Sequence, residues 1–338
     1  MQAILAVTIP FFALVLCGYL AAQRHVLPES AIPGLNGFVL FFALPCMLFR
    51  FGASMPLARL IDPALIGVYL ASAMLMVFFT IAATLRRDAD GPGVSLRDAA
   101  FGALVATFPN TGFMGVPLLV AMLGERAAGP VIGIVLVDLI FTSTLCLVVA
   151  QHHEDAAPGA SRADDTPDPG WAVTTLRSVR GALTNPLPWA IAAGALLAAS
   201  GRQLPAPVAQ VVKMLGDSAT PVALFTIGTV LWRAGQHAHT RTPLRNYLPV
   251  ALFKLFIHPA LVLSMGLLAR AAGVDVPEFG LLVMVLGAAL PSASNVSLLA
   301  ERFGADNGRI ARIVMASTVL AFASFSLLAW GFGVQVGR

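Results

Sequence analysis

Two short segments carry the residue types that could hold a ligand inside an apolar chain. They are Pro109-Asn110-Thr111-Gly112 and Pro291-Ser292-Ala293-Ser294-Asn295. Proline lacks a backbone donor and its ring collides with the preceding turn, so a helix reaching either segment must break. The break frees carbonyls and amides, and small polar side chains stand beside them. Where a half-helix resumes, its first amides carry partial positive charge and point outward, which suits an anion. Pro109, Asn110, Thr111, Gly112, Pro291, Ser292, Ser294 and Asn295 are therefore the candidate substrate-binding residues. One such proline alone would be read as a structural kink. Two of them, 182 positions apart in a chain of 338, argue for a paired site.

Three ionisable residues sit deep in apolar stretches and form a second set: Asp138, Lys254 and His258. Charge inside a membrane is costly and marks function by default. Asp138 could couple a proton or cation, balance Lys254, or supply an interhelical hydrogen bond that only holds the bundle together. Lys254 could attract a carboxylate or gate a path. Its place toward one end of its span favours a snorkelling side chain. His258, four residues on and on the same helix face, precedes Pro259 and could take up the backbone slack there.

The elements that must position these residues follow from composition. The chain is 58% hydrophobic and 11% charged, with mean hydropathy +0.83. So few charges cannot cover a water-facing surface, so lipid is the expected solvent. Ten spans are expected, over 3–22, 31–50, 63–85, 99–122, 128–150, 184–201, 216–232, 246–269, 279–300 and 311–333. Ala3–Ala22 reads as a retained span, because no basic residue precedes it and Arg24 follows. Asp62-Pro63 and Asn185-Pro186 each put a capping side chain before a proline at the first helical position. The shortest apolar run is 216–232, with Asp217 at its edge.

Basic residues test this partition. Loops after odd-numbered spans hold Arg24, Arg86, Arg87, Arg97, Arg162, Arg177, Arg180, Arg233, Arg241, Arg245, Arg302, Arg309 and Arg312. Loops after even-numbered spans hold Arg50, Arg59, Arg126, Arg202, Lys213 and Arg270. The imbalance puts the odd loops in the cytoplasm and both termini outside, in a multi-pass protein of the cell inner (plasma) membrane. The Pro-, Asp- and Ala-rich stretch over 151–183 reads as a solvated cytoplasmic linker between a first five-helix repeat (1–150) and a second (184–338). Five crossings reverse direction, so the halves would be inserted oppositely, and the two proline segments would fall in the fourth span of each. Cys17, Cys46 and Cys146 lie in apolar spans without a CxxC spacing. His152-His153 and His237/His239 lack the further ligands of a metal site, and the net charge of +4 is too small to suggest nucleic acid.

With these residues in place, the chain resembles the auxin efflux carrier family over essentially its whole length. The resemblance is carried by Leu35-Asn36-Gly37-Phe38-Val39-Leu40-Phe41-Phe42-Ala43-Leu44-Pro45, by Phe108-Pro109-Asn110-Thr111-Gly112-Phe113-Met114-Gly115-Val116-Pro117, and by Asn185-Pro186-Leu187. It is completed by Pro291-Ser292-Ala293-Ser294-Asn295 with Leu299-Ala300-Glu301-Arg302-Phe303-Gly304. It implies an all-α membrane protein of ten helices in a 5+5 inverted repeat, with broken helices 4 and 9 crossing as an X. It also implies a homodimer that exports or exchanges small carboxylates; bacterial members include malonate and malate permeases, and plant members move auxin. Pro109, Asn110, Pro291 and Ser292 would sit at the crossover. The fold also resembles the bile-acid sodium symporters, whose sodium sites use an acidic residue in the second crossover. Residues 291–295 contain none, which puts sodium coupling in doubt and leaves proton coupling or uniport driven by membrane potential equally open.

The expected function is an alternating-access secondary carrier for a small organic anion, a mono- or dicarboxylate, needing no cofactor or metal. Two other classes compete. An intramembrane enzyme would need a nucleophile-base pair or a metal triad, and no GxSxG or HExxH occurs and no Asp pair clusters in an apolar span. An anion channel would need an uninterrupted pore.

Overall fold

The computed structural model describes residues 1–54, 62–85, 94–151, 186–236 and 242–335. The expected linker beyond Gln151, the capping Asn185 and the histidines His152, His153, His237 and His239 lie outside the described residues. Within them the chain is all-helical and contains no strand.

Twelve helical segments follow in order: α1 (Gln2–Gln23), α2 (Ala31–Ser54), α3 (Pro63–Thr84), α4 (Leu96–Thr107), α5 (Thr111–Leu123), α6 (Glu125–Gln151), α7 (Pro186–Ala199), α8 (Ala206–Gln236), α9 (Leu244–Ala271), α10 (Glu278–Ala288), α11 (Asn295–Arg302) and α12 (Asn307–Gly331). Seven of these, α1, α2, α3, α6, α8, α9 and α12, are long and apolar enough to cross a bilayer; α5, α7 and α10 are shorter apolar helices. Helix starts follow local chemistry. The Asp62 carboxylate accepts from the amides of Ala64 and Leu65, with Pro63 first in α3, as expected. The Ser95 hydroxyl caps α4 by accepting from Asp98 N and donates to the Asp98 carboxylate, and Asp306 caps α12 through Arg309 N.

The apolar run expected over 216–232 is longer than its hydropathy suggests. Helix α8 begins at Ala206 and places Asp217 in its interior rather than at its edge. The carboxylate is tolerated there because Arg50 and Lys213 reach it at 2.6 and 2.7 Å.

The polarity of the molecule is inverted relative to a water-soluble protein. Large apolar side chains such as Phe41, Phe78, Leu196 and Val319 stand on the surface. Thr107, Asn110, Asp138, Lys254 and His258 are buried. The hydrophobic effect cannot hold helices together in lipid, so close packing and internal hydrogen bonds must.

Two groups of helices divide that task. In the first, α1 lies on α8 and α2 on α7. Gly18 of α1 abuts the Phe225 carbonyl of α8, while Gly228 of α8 abuts the Val15 carbonyl of α1. Gly52 of α2 likewise abuts the Ile191 carbonyl of α7, and Gly194 of α7 the Phe49 carbonyl of α2. A β-carbon at any of the four would strike backbone, so these helices touch main chain to main chain. In the second group α3, α4, α6, α9, α10, α11 and α12 pack together, with α5 reaching across to α1 and α8.

Candidate functional site: the paired helix breaks

Helix α4 ends at Thr107, and the chain resumes as α5 at Thr111 after Pro109 and Asn110. Helix α10 ends at Ala288, and α11 starts at Asn295 after Pro291. The two interruptions pair with each other. Asn110 N donates to Pro291 O at 2.8 Å and Ala293 N to Phe108 O at 3.0 Å, making an isolated antiparallel bridge between Pro109 and Ser292. Each proline thus breaks its helix, and each break satisfies backbone groups freed by the other. Further freed amides are met locally, Thr111 N by Pro109 O and Ser292 N by the Ser317 hydroxyl of α12.

All eight residues expected to bind substrate belong to this junction. Asn110, Thr111, Ser292 and Ser294 are buried. The hydroxyl of Ser292 and Oδ1 of Asn295 are buried without a partner, as is the hydroxyl of Thr107, a residue that the sequence reading passed over. Buried polar atoms are almost always paired, so three orphans at one junction suit a polar guest. Gly112 borders open space: a β-carbon built there meets nothing within 4 Å, whereas one at Gly115 would press on Leu290 at 2.7 Å. Residues 111–115 form a π-helical turn, a distortion that recurs at functional sites.

The three ionisable residues also come together. Asp138 opens a π-helical turn in α6 and accepts from the Tyr69 hydroxyl at 3.1 Å and the Thr142 hydroxyl at 3.0 Å. Lys254 lies in a π-helical turn of α9 spanning Phe253–Ile257. It does not snorkel. It is fully buried, contacts His258 Nδ1 at 3.0 Å and donates to the Ala288 carbonyl at 2.8 Å. The reason lies in the neighbouring break: Ala288 ends α10, its carbonyl has lost the helical donor, and a cation complements the negative end of that half-helix. The Tyr69 ring stands 5.7 Å from that of His258, so this tyrosine touches both the carboxylate and the histidine–lysine pair. Tyr69 and Ser317 could have been found only by noticing polar groups in otherwise apolar spans.

A family profile for membrane transport proteins matches residues 3–330. The chain belongs to this family, the auxin efflux carriers. Among its carriers, a Rhizobium meliloti (strain 1021) protein named "Putative malonate transporter" is 29% identical over 327 residues, covering 96% of this chain and 94% of that one. Auxin efflux carrier component 8 of Arabidopsis thaliana is 23% identical over 323 residues, covering 85% of this chain and 86% of the plant protein. The uncharacterized transporter YfdV of Escherichia coli (strain K12) is 23% identical over 319 residues, covering 93% and 92%. The chain is an integral membrane transporter and not an enzyme. The alternative of an intramembrane catalyst falls.

Proposed function

We propose that the protein is a secondary carrier for a small organic anion, a mono- or dicarboxylate, working by alternating access at the paired helix breaks. The observation that carries this reading is the antiparallel bridge of Pro109 with Ser292, flanked by the orphaned polar atoms of Thr107, Ser292 and Asn295. Half-helix amides and the nearby Lys254 favour negative charge over positive. A relative named for malonate makes that dicarboxylate the first substrate to try.

Counting each broken pair and α7 as spans gives ten helices, in a 5+5 inverted repeat of residues 1–150 and 184–338 with the linker 151–183 between. The glycine contacts support this reading, because α1 on α8 is the counterpart of α7 on α2 if α1 corresponds to α7 and α2 to α8. Halves related by a pseudo-two-fold axis in the membrane plane are a common basis of alternating access. The glycine-packed helices would serve as scaffold and the polar bundle as the moving part. The distribution of basic loop residues supports termini outside the plasma membrane. The resemblance suggests a homodimer. Asp138, with Lys254 and His258, is the proposed coupling or gating group, for protons rather than sodium, since 291–295 offers no carboxylate.

The test is counterflow in proteoliposomes loaded with unlabelled carboxylates, following labelled malonate outside. Saturable uptake that Asn110→Ala abolishes is the expected result. Uptake unchanged by that substitution would sink the site, and conductance without saturation or counterflow would favour a channel.

A further inference from the structure

Three helices of the glycine-packed group meet over a cavity of about 440 Å³ at one end of the bundle. Helix α2 ends there at Ser54, α7 ends at Ala199, and α8 begins at Ala206. Most of the wall is apolar: Phe49 and Ala53 of α2, Leu197 of α7, Leu204 of the α7–α8 turn, and Val212 of α8. Three cations join it, Arg50 of α2, Arg202 of the turn and Lys213 of α8, and no acidic residue lines it.

The turn places the second of these cations. Gly201, in the left-handed region at φ 64°, stops α7 and reverses the chain. The Ser200 hydroxyl donates to the Leu197 carbonyl at 2.7 Å and accepts from Arg202 N at 3.3 Å, which fixes the Arg202 backbone at the cavity. The Arg202 guanidinium itself has no partner among the described residues, so its five donors are available.

The other two cations are partly engaged. Arg50 and Lys213 each spend one donor on Asp217, and both keep others. Glu125 and Asp217 share a neighbouring cavity with Arg50, and neither lines this one. Set against both carboxylates, the three cations leave one positive charge uncompensated, and Arg202 carries it.

The surface leading away from these charges is apolar. Leu196 and Trp189 stand seven residues apart on one side of α7 and are 70% and 59% exposed. Together they run about 10 Å along the helix, from the cavity toward the middle of the bilayer. A soluble anion would use only the cations. A ligand with a negative head and a hydrocarbon tail would use both features, and the membrane supplies one.

We infer that this cavity is a binding site for an anionic phospholipid. Its phosphate pairs with the Arg202 guanidinium, assisted by the spare donors of Arg50 and Lys213, and an acyl chain lies along Leu196 and Trp189. Basic pockets between membrane helices hold such head groups by the same pairing. Because the site joins α2, α7 and α8, the bound lipid braces the glycine-packed frame. The inference uses neither helix break and stands apart from the substrate reading.

The test is native mass spectrometry of the detergent-purified full chain, titrated with phosphatidylglycerol or with phosphatidylcholine, which has no net charge. Phosphatidylglycerol should bind more tightly, and Arg202→Gln should weaken it about five-fold while leaving phosphatidylcholine unchanged. Arg202→Lys should keep most of the affinity, and Arg270→Gln, at a basic residue outside the cavity, should change neither lipid. An unaltered melting temperature of Arg202→Gln in lipid-free detergent would show that only the ligand has been lost. Equal affinity for the two lipids, or undiminished phosphatidylglycerol binding by Arg202→Gln, would overturn the site. Displacement of the lipid by inorganic phosphate or glycerol 3-phosphate at similar concentration would make it a site for soluble anions and overturn the lipid assignment. None of these outcomes touches the carrier reading, which counterflow tests separately.

Discussion

The α1/α8 and α2/α7 contacts and the bundle around the breaks solve the same problem in opposite ways. Glycine lets the first pairs touch backbone to backbone, so close fit holds them. The second region is fastened by buried hydrogen bonds. Lys254 holds the end of α10, Tyr69 and Thr142 hold Asp138, and Arg309 of α12 donates to the carbonyls of Asn246 and Asp98 at 2.8 Å each. A glycine seam brings main chain against main chain and leaves no room for a side chain to swing between partners, so it suits a fixed frame. A polar interior can exchange partners, including a substrate or a proton, so it suits the part that works.

The largest effect should come from damaging the seam. Gly228→Leu would drive a side chain into the backbone at Val15 and Tyr19, where no side chain can yield. Overpacking of this kind costs about 1–3 kcal/mol even when neighbours can shift, and here two helices must separate. The expected outcome is loss of monodisperse protein on size-exclusion chromatography. A well-folded Gly228→Leu protein would show that the seam is loose and the comparison mistaken.

Next comes the bundle's cation. Lys254→Met keeps length and removes the donor to Ala288, leaving a buried carbonyl unpaired at a cost of about 1–3 kcal/mol. The protein should still fold, with a lower melting temperature and slower malonate exchange. Unchanged exchange would reduce Lys254 to packing.

Asp138→Asn should have a narrower effect. The amide preserves shape and can still accept from Tyr69 or Thr142, but it cannot carry a proton in exchange for charge. Tyr69 of α3, Lys254 and His258 of α9 and Cys146 of α6 surround it and stay in place. Exchange of malonate for malonate should persist while accumulation driven by a pH gradient disappears. If the gradient still drives uptake, coupling lies elsewhere.

The same contrast explains what the sequence made legible. Pro109 and Pro291 announce their breaks because proline's covalent structure forbids a continuous helix, and their spacing announces the pair. Asp62 announces a helix start for an equally local reason. Lys254 was misjudged because its partner, the Ala288 carbonyl, exists only once α10 has broken and folded against α9. The start of α8 was misjudged for the same kind of reason: Asp217 is neutralised by Arg50, 167 residues away. The glycine seam was invisible too, since Gly18, Gly52, Gly194 and Gly228 have no local signature. Each acquires meaning from a carbonyl on another helix.

Thr107 offers the finest cut between a fastened bundle and a bundle built to receive a guest. Its hydroxyl is buried and unpartnered at the last residue of α4, beside the first break. Thr107→Val keeps the branched shape and removes only that oxygen. If the hydroxyl awaits substrate, the empty protein should be as stable as before or slightly more so, because an unpaired polar atom has been taken out of the interior. Binding should weaken by one hydrogen bond, about 0.5–1.5 kcal/mol, which is a roughly two- to thirteen-fold rise in the malonate concentration for half-maximal exchange. Stability and affinity would then move in opposite directions, a signature that a purely structural hydroxyl cannot give. A drop in melting temperature with unchanged half-saturation would mean that Thr107 finds its partner within the protein, and the junction would have one fewer group to offer a carboxylate.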